Sequence, residues 1–70
     1  MSNANADIRK ACVDGNVPFW RVAERYGIAD TTLSRKMRRE LPPKMKREMF
    51  KIIEELSVEI AEERRELDDG

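Results

Sequence analysis

The sequence predicts an all-α fold, a compact tri-helical core followed by a long amphipathic C-terminal helix. Three observations predict it. Apolar residues recur three and four apart in four segments and nowhere alternate as a half-buried strand would. The three glycines and three prolines fall between those segments or at their ends. Charged residues make up 40% of the 70-residue chain, an excess that suits helices with one solvated, charge-laced face. Seventy residues permit one small domain, so close helix packing or oligomerisation is expected to supplement a limited core.

The first helix is expected from Asn5 to Asp14, with Ile8, Ala11 and Cys12 on one face and Gly15 as its C-terminal glycine cap. Pro18 opens the second, since a first-turn proline lacks only an N–H that would be unpaired anyway. Phe19, Val22, Ala23 and Tyr26 form its buried stripe, and Gly27 stops it. Trp20 lies just off that stripe and is expected to cover the core edge against the fourth helix. The third helix is expected from about Asp30 or Thr31 to Glu40, with Asp30 as N-cap or first-turn acid. Leu33 and Met37 face inward, while Thr31, Arg35, Arg38 and Arg39 lie opposite. Leu41-Pro42-Pro43 ends it, because the residue before a proline avoids the α region.

The fourth helix is expected from Pro43 to about Leu67, with Met49, Ile53, Leu56, Ile60 and Leu67 along its apolar seam. In a heptad register Lys46 and Glu63 interrupt that seam. Residues 5–53 are therefore expected to form the core domain. Residues 54–70 are expected to be an acidic extension of the fourth helix, reaching past the core and available for self-association. Ser2-Asn3-Ala4 resembles a cloning scar, so Met1 to Ala4 are set aside.

The formal net charge is zero, from 14 basic and 14 acidic side chains. The zero is a cancellation: residues 1–53 hold 12 basic and 6 acidic side chains, and residues 54–70 hold 2 and 8. The basic excess is densest from Arg35 to Lys51, where only Glu40 and Glu48 interrupt it. No His and one Cys exclude zinc-finger, His/Cys-metal and Ser-His-Asp chemistry. Cys12 reads as a small core residue in a reducing compartment, and the expected location is cytoplasmic. No apolar run is long enough to span a membrane and no secretory signal pattern is visible, so neither is expected. Met37, Met45 and Met49 read as adaptable packing. The pairs Glu54/Glu55, Glu62/Glu63 and Asp68/Asp69 diverge by ~100° on a helix, and no calcium-type loop surrounds them. They read as a solvated acidic face. No enzyme activity, cofactor, metal or small-molecule substrate is expected.

Val22-Ala23, Gly27-Ile28, Leu33 and Met37 have the spacing of a helix-turn-helix. A small Ala23 lets the next helix cross closely, Gly27 supplies the turn, and Ile28, Leu33 and Met37 plug the second helix into the first. The stretch Val17-Pro18-Phe19-Trp20-Arg21-Val22-Ala23 through Gly27-Ile28 to Leu33-Ser34-Arg35-Lys36-Met37-Arg38 resembles small helix-turn-helix DNA-binding proteins of bacterial phages and integrated mobile elements. The resemblance covers about Ile8 to Leu56. It implies that the third helix enters the DNA major groove, that Asp30, Thr31, Thr32 and Arg35 match base-reading positions, and that Ser34 and Arg39 match phosphate contacts. Ala29 departs from the pattern, standing where Ser or Asn often caps the helix, which shifts the cap to Asp30.

Residue chemistry points the same way. An arginine such as Arg35 can fork onto guanine O6 and N7, and Thr31 or Thr32 can meet a thymine methyl. Arg38, Arg39, Lys44 and Lys46 suit phosphates, whose contacts release counterions and dominate affinity. The expected function is a DNA-binding transcription regulator or accessory factor acting on double-stranded DNA. A homodimer through the C-terminal helix is the expected assembly, and the acidic segment is expected to orient the domain on DNA or damp non-specific binding. The alternative is a protein-interaction or nucleoprotein-assembly module in which the helix-turn-helix is only a scaffold.

Overall fold

The computed structural model describes residues 4–68. Residues 1–3, set aside above, and residues 69–70 of the acidic segment lie outside the described residues, as do the side chains of residues 67 and 68, including the Leu67 end of the expected seam. The protein is all-α, with helices α1 (Ala6–Asp14), α2 (Phe19–Tyr26), α3 (Asp30–Lys36) and α4 (Pro43–Asp68) in chain order. No helix is long and apolar enough to cross a membrane among the described residues.

α4 packs against both α1 and α2, and α2 packs against α3. The shared core takes Ile8 and Cys12 from α1, Val22 and Ala23 from α2, Leu33 from α3, and Met49, Ile53 and Leu56 from α4. Val17, Met37 and Leu41, from the connections, complete it. Leu56 is buried and Ile60 packs partly against the same cluster, so the core continues across the expected boundary at residues 53/54. Phe19 and Tyr26, expected to be buried, are only partly so.

The turns differ from expectation in instructive ways. Gly27 adopts φ 96°, the left-handed stop that the sequence suggests, and its N–H reaches Ala23 O at 2.9 Å. Gly15 does not: its φ is −87°, and the left-handed residue is the next one, Asn16, at φ 57°. Asparagine tolerates that region better than most side chains. Gly15 is needed for clearance instead, because a Cβ there would stand 3.0 Å from Ser57 Cβ on α4. Pro18 is the N-cap of α2 rather than its first residue.

α3 is shorter than expected, ending at Lys36 instead of Glu40. The cause lies 32 residues upstream of Met37. Continuing the helix would pair Leu41 N–H with Met37 O. Instead Asn5 inserts its side-chain amide between them: Nδ2 donates to Met37 O at 3.0 Å, and Oδ1 accepts from Leu41 N–H at 2.9 Å. The same Nδ2 donates to Arg39 O at 2.8 Å, a carbonyl whose helical partner would be Pro43, which has no N–H. Asn5 is fully buried, left-handed at φ 58°, and caps no helix with its side chain because that side chain is committed here.

Candidate functional site

The sequence-derived candidates divide into three groups. Asp30, Thr31, Thr32, Ser34 and Arg35 all lie exposed on α3, which is held from beneath by buried Leu33 and, at its end, Met37. Ala29 is the N-cap of α3 and makes no side-chain cap bond, so Asp30 sits in the first turn rather than at the cap. Its carboxylate complements the helix dipole from there and is not spent on backbone N–H groups.

Arg38 and Arg39, expected on the helix, sit in the turn after it, where Arg38 N–H and Arg39 N–H bond back to Arg35 O and Lys36 O, each at 3.3 Å. Both side chains are exposed. Their backbone is held by Asn5, whose own N–H donates to the Glu40 carboxylate at 3.1 Å. Asn5 was not singled out from sequence, since no local pattern connects it to residues 37–41.

Lys44 and Lys46 part company. Lys44 is exposed on the first turn of α4. Lys46 is largely covered, and its Nζ bonds Glu40 Oε1 at 2.7 Å and Asp7 Oδ2 at 3.2 Å. The Glu40 contact, with Asp7 beside it, holds the ammonium above its usual range despite desolvation. Glu40 is held low by that same Lys46 bond and by Asn5 N–H. Asp7, against the desolvation that would raise it, is held low by Lys46 and Ile8 N–H. Lys46 therefore ties the α3–α4 turn to the start of α1, so of the two lysines expected to meet phosphates it is the one already paired within the fold.

The acidic block is also engaged within the molecule. Arg21 makes a two-pronged contact to Glu63 at 3.0 and 3.1 Å, and Arg25 reaches Glu59 at 2.9 Å and Glu55 at 3.6 Å. These contacts bind the second half of α4, through Glu63, to the side of α2. The Arg21 bond holds Glu63 below the usual carboxylate range.

What remains is a block of unneutralised positive charge. Among the described residues Arg35, Lys36, Arg38, Arg39, Lys44, Arg47 and Lys51 are all exposed, and none forms an ion pair. The two acids within this stretch look elsewhere: Glu40 to Lys46 and Asn5, Glu48 to the Tyr26 hydroxyl, whose pKa it raises. Lys36, Arg47 and Lys51 were not among the sequence-derived site residues. The signal for the last two is the helical wheel, which puts them with Lys44 in a sector of about 60°. Such a surface suits polyanions. Cys12, by contrast, is buried with its thiol pushed up by desolvation, and no group of three metal-ligating side chains occurs among the described residues. Trp20 does not cover the core edge as expected; it is 55% exposed.

Comparisons with family models, curated proteins and solved structures return no match.

Proposed function

We propose that the chain is a sequence-specific DNA-binding regulator or accessory factor, built on a tri-helical helix-turn-helix core with a long C-terminal helix. α2 is the supporting helix, residues 27–29 the turn, and α3 the helix that enters the major groove. The observation that carries this reading is the run of seven exposed cations between Arg35 and Lys51 that no acid among the described residues neutralises. Leaving those charges unpaired favours a partner that brings closely spaced negative charge, as phosphates do. Thr31, Thr32 and Arg35 are the base-reading side chains, with Ser34, Arg38, Arg39 and Lys44 on the backbone. The mechanism is occupancy of a short site, without catalysis. A unit of this size covers few base pairs. Two copies on half-sites ~34 Å apart, or a multiple of that, account for specificity best, and α4 is the element to join them.

Selection from random duplex DNA, followed by salt titration of the winning site, tests the proposal. An enriched motif whose affinity falls steeply from low to physiological salt is expected. Affinity that hardly responds to salt, or no enrichment at all, overturns it.

A further inference from the structure

A surface away from α3 is apolar rather than charged. An open groove of about 780 Å³ runs between the end of α1, the start of α2 and the second half of α4. Its walls are Cys12, Val13, Val17, Phe19, Trp20 and Ile60. Two of these are far more exposed than apolar side chains of their size need to be, Val13 at 79% and Trp20 at 55%. An exposed apolar surface of this kind next to a groove marks a contact site.

The rim sets the sign of the partner. Arg9 and Arg64 border the groove, and neither forms an ion pair among the described residues. The only acid lining it among the described residues, Glu63, is already held at both oxygens by Arg21. The groove therefore presents an apolar floor between two uncompensated cations. We infer that it docks a short acidic peptide segment of a partner protein, with aliphatic or aromatic anchors seated against Trp20 and Val13 and carboxylates beside Arg9 and Arg64. A second copy of this chain fits less well: its acidic stretch 62–69 carries two arginines and a single apolar residue, Leu67, where Trp20 and Val13 offer two seats.

None of the groove residues falls within residues 30–51. A peptide seated here leaves α3 and the cationic turn uncovered, so the two surfaces can be occupied together. The inference does not depend on the DNA-binding proposal, and its test uses no DNA.

A random dodecamer peptide library is selected on the immobilised full chain, and the winners are synthesised. Trp20 is the only tryptophan, so its emission reports occupancy of the groove directly. Enrichment of peptides that combine apolar anchors with net negative charge is expected, with binding that shifts Trp20 emission. Val13→Asp should weaken them at least ten-fold and Arg64→Glu several-fold; both positions are exposed, so the fold tolerates either change. Overturning results are no enrichment, enrichment without acidic bias, winners that leave Trp20 emission unmoved, or affinity retained in both variants. A protein that sizes as a dimer with this groove closed between copies overturns it as well.

Discussion

Asn5→Gly isolates the side chain that ends α3. Glycine keeps the left-handed backbone at φ 58° without steric strain, so the loss reads chiefly the hydrogen bonds, with a smaller entropic share from the freer unfolded chain. Three are removed, at 3.0, 2.8 and 2.9 Å, and Met37 O and Leu41 N–H are left buried without their partner. Orphaning Met37 O and Leu41 N–H costs about 1–2 kcal/mol each and the third bond contributes about 1 kcal/mol, so a loss of roughly 3–5 kcal/mol is expected. A chain of this length is stable by about 4–10 kcal/mol in all, so the variant should stand near the edge of folding. Urea denaturation followed by far-UV circular dichroism measures the difference, with a midpoint lowered by about 2–4 M at the slope usual for small domains. Asn5→Ala should lose roughly 1 kcal/mol more, from the left-handed backbone. A loss below about 1 kcal/mol in Asn5→Gly would refute the reasoning, because the amide would then be replaceable by water or by continuation of the helix.

Other perturbations separate neighbouring residues. Lys44→Met should leave the melting temperature unchanged and reduce the salt slope of DNA binding by about 0.9, one phosphate contact; Lys46→Met should lower the melting temperature and leave the slope nearly intact. Arg35→Ala should relax base preference at one position of the selected site by about 1–3 kcal/mol while helicity is unchanged, and an unaltered preference would remove Arg35 from base reading. Glu40, Glu63 and Asp7 titrate lower in the folded chain than their ordinary 4.5, 4.5 and 3.8. Their contribution is therefore complete above the ordinary values and is lost as the pH falls through the lowered ones. Thermal melts in acid should show this, and Lys46→Met should flatten the Glu40 and Asp7 share. Gly27→Ala should cost about 1 kcal/mol, for conformation only, since nothing lies within 4 Å of the added Cβ. Gly15→Ala should instead be relieved in part by Ser57→Gly, whose Cβ it would strike; chemical denaturation of the double variant checks it.

The helical order, the inward residues of each helix and the Gly27 turn were legible because each follows from neighbours within a turn or two. Ile8, Cys12, Val22, Leu33, Met49, Ile53 and Leu56 are buried as their spacing implied. The candidate site was legible only in part. Exposed residues of α3 can be read from a wheel, whereas Lys46 has the same charge and nearly the same position as Lys44. Nothing local says that one meets Asp7, 39 residues away, and the other meets solvent. Trp20 shows the converse, an aromatic residue beside a buried stripe that stays half exposed because α4 approaches at Ile60 and Glu63 without covering it.

Periodicity and punctuation thus determine by themselves that this chain is helical, that four helices follow one another in it, and that its positive charge is concentrated between Arg35 and Lys51. Hydrophobic spacing and glycine or proline stops act over a few residues, so a sequence records them directly. Only the tertiary structure decides where α3 ends, because Asn5 replaces a helical bond from across the fold. It also decides which charges are spent. Lys46 is taken by Asp7 and Glu40, Glu55 and Glu59 are taken by Arg25, and Glu63 is taken by Arg21. Ion pairing is set by distance through space, and that distance is fixed only once the helices have packed.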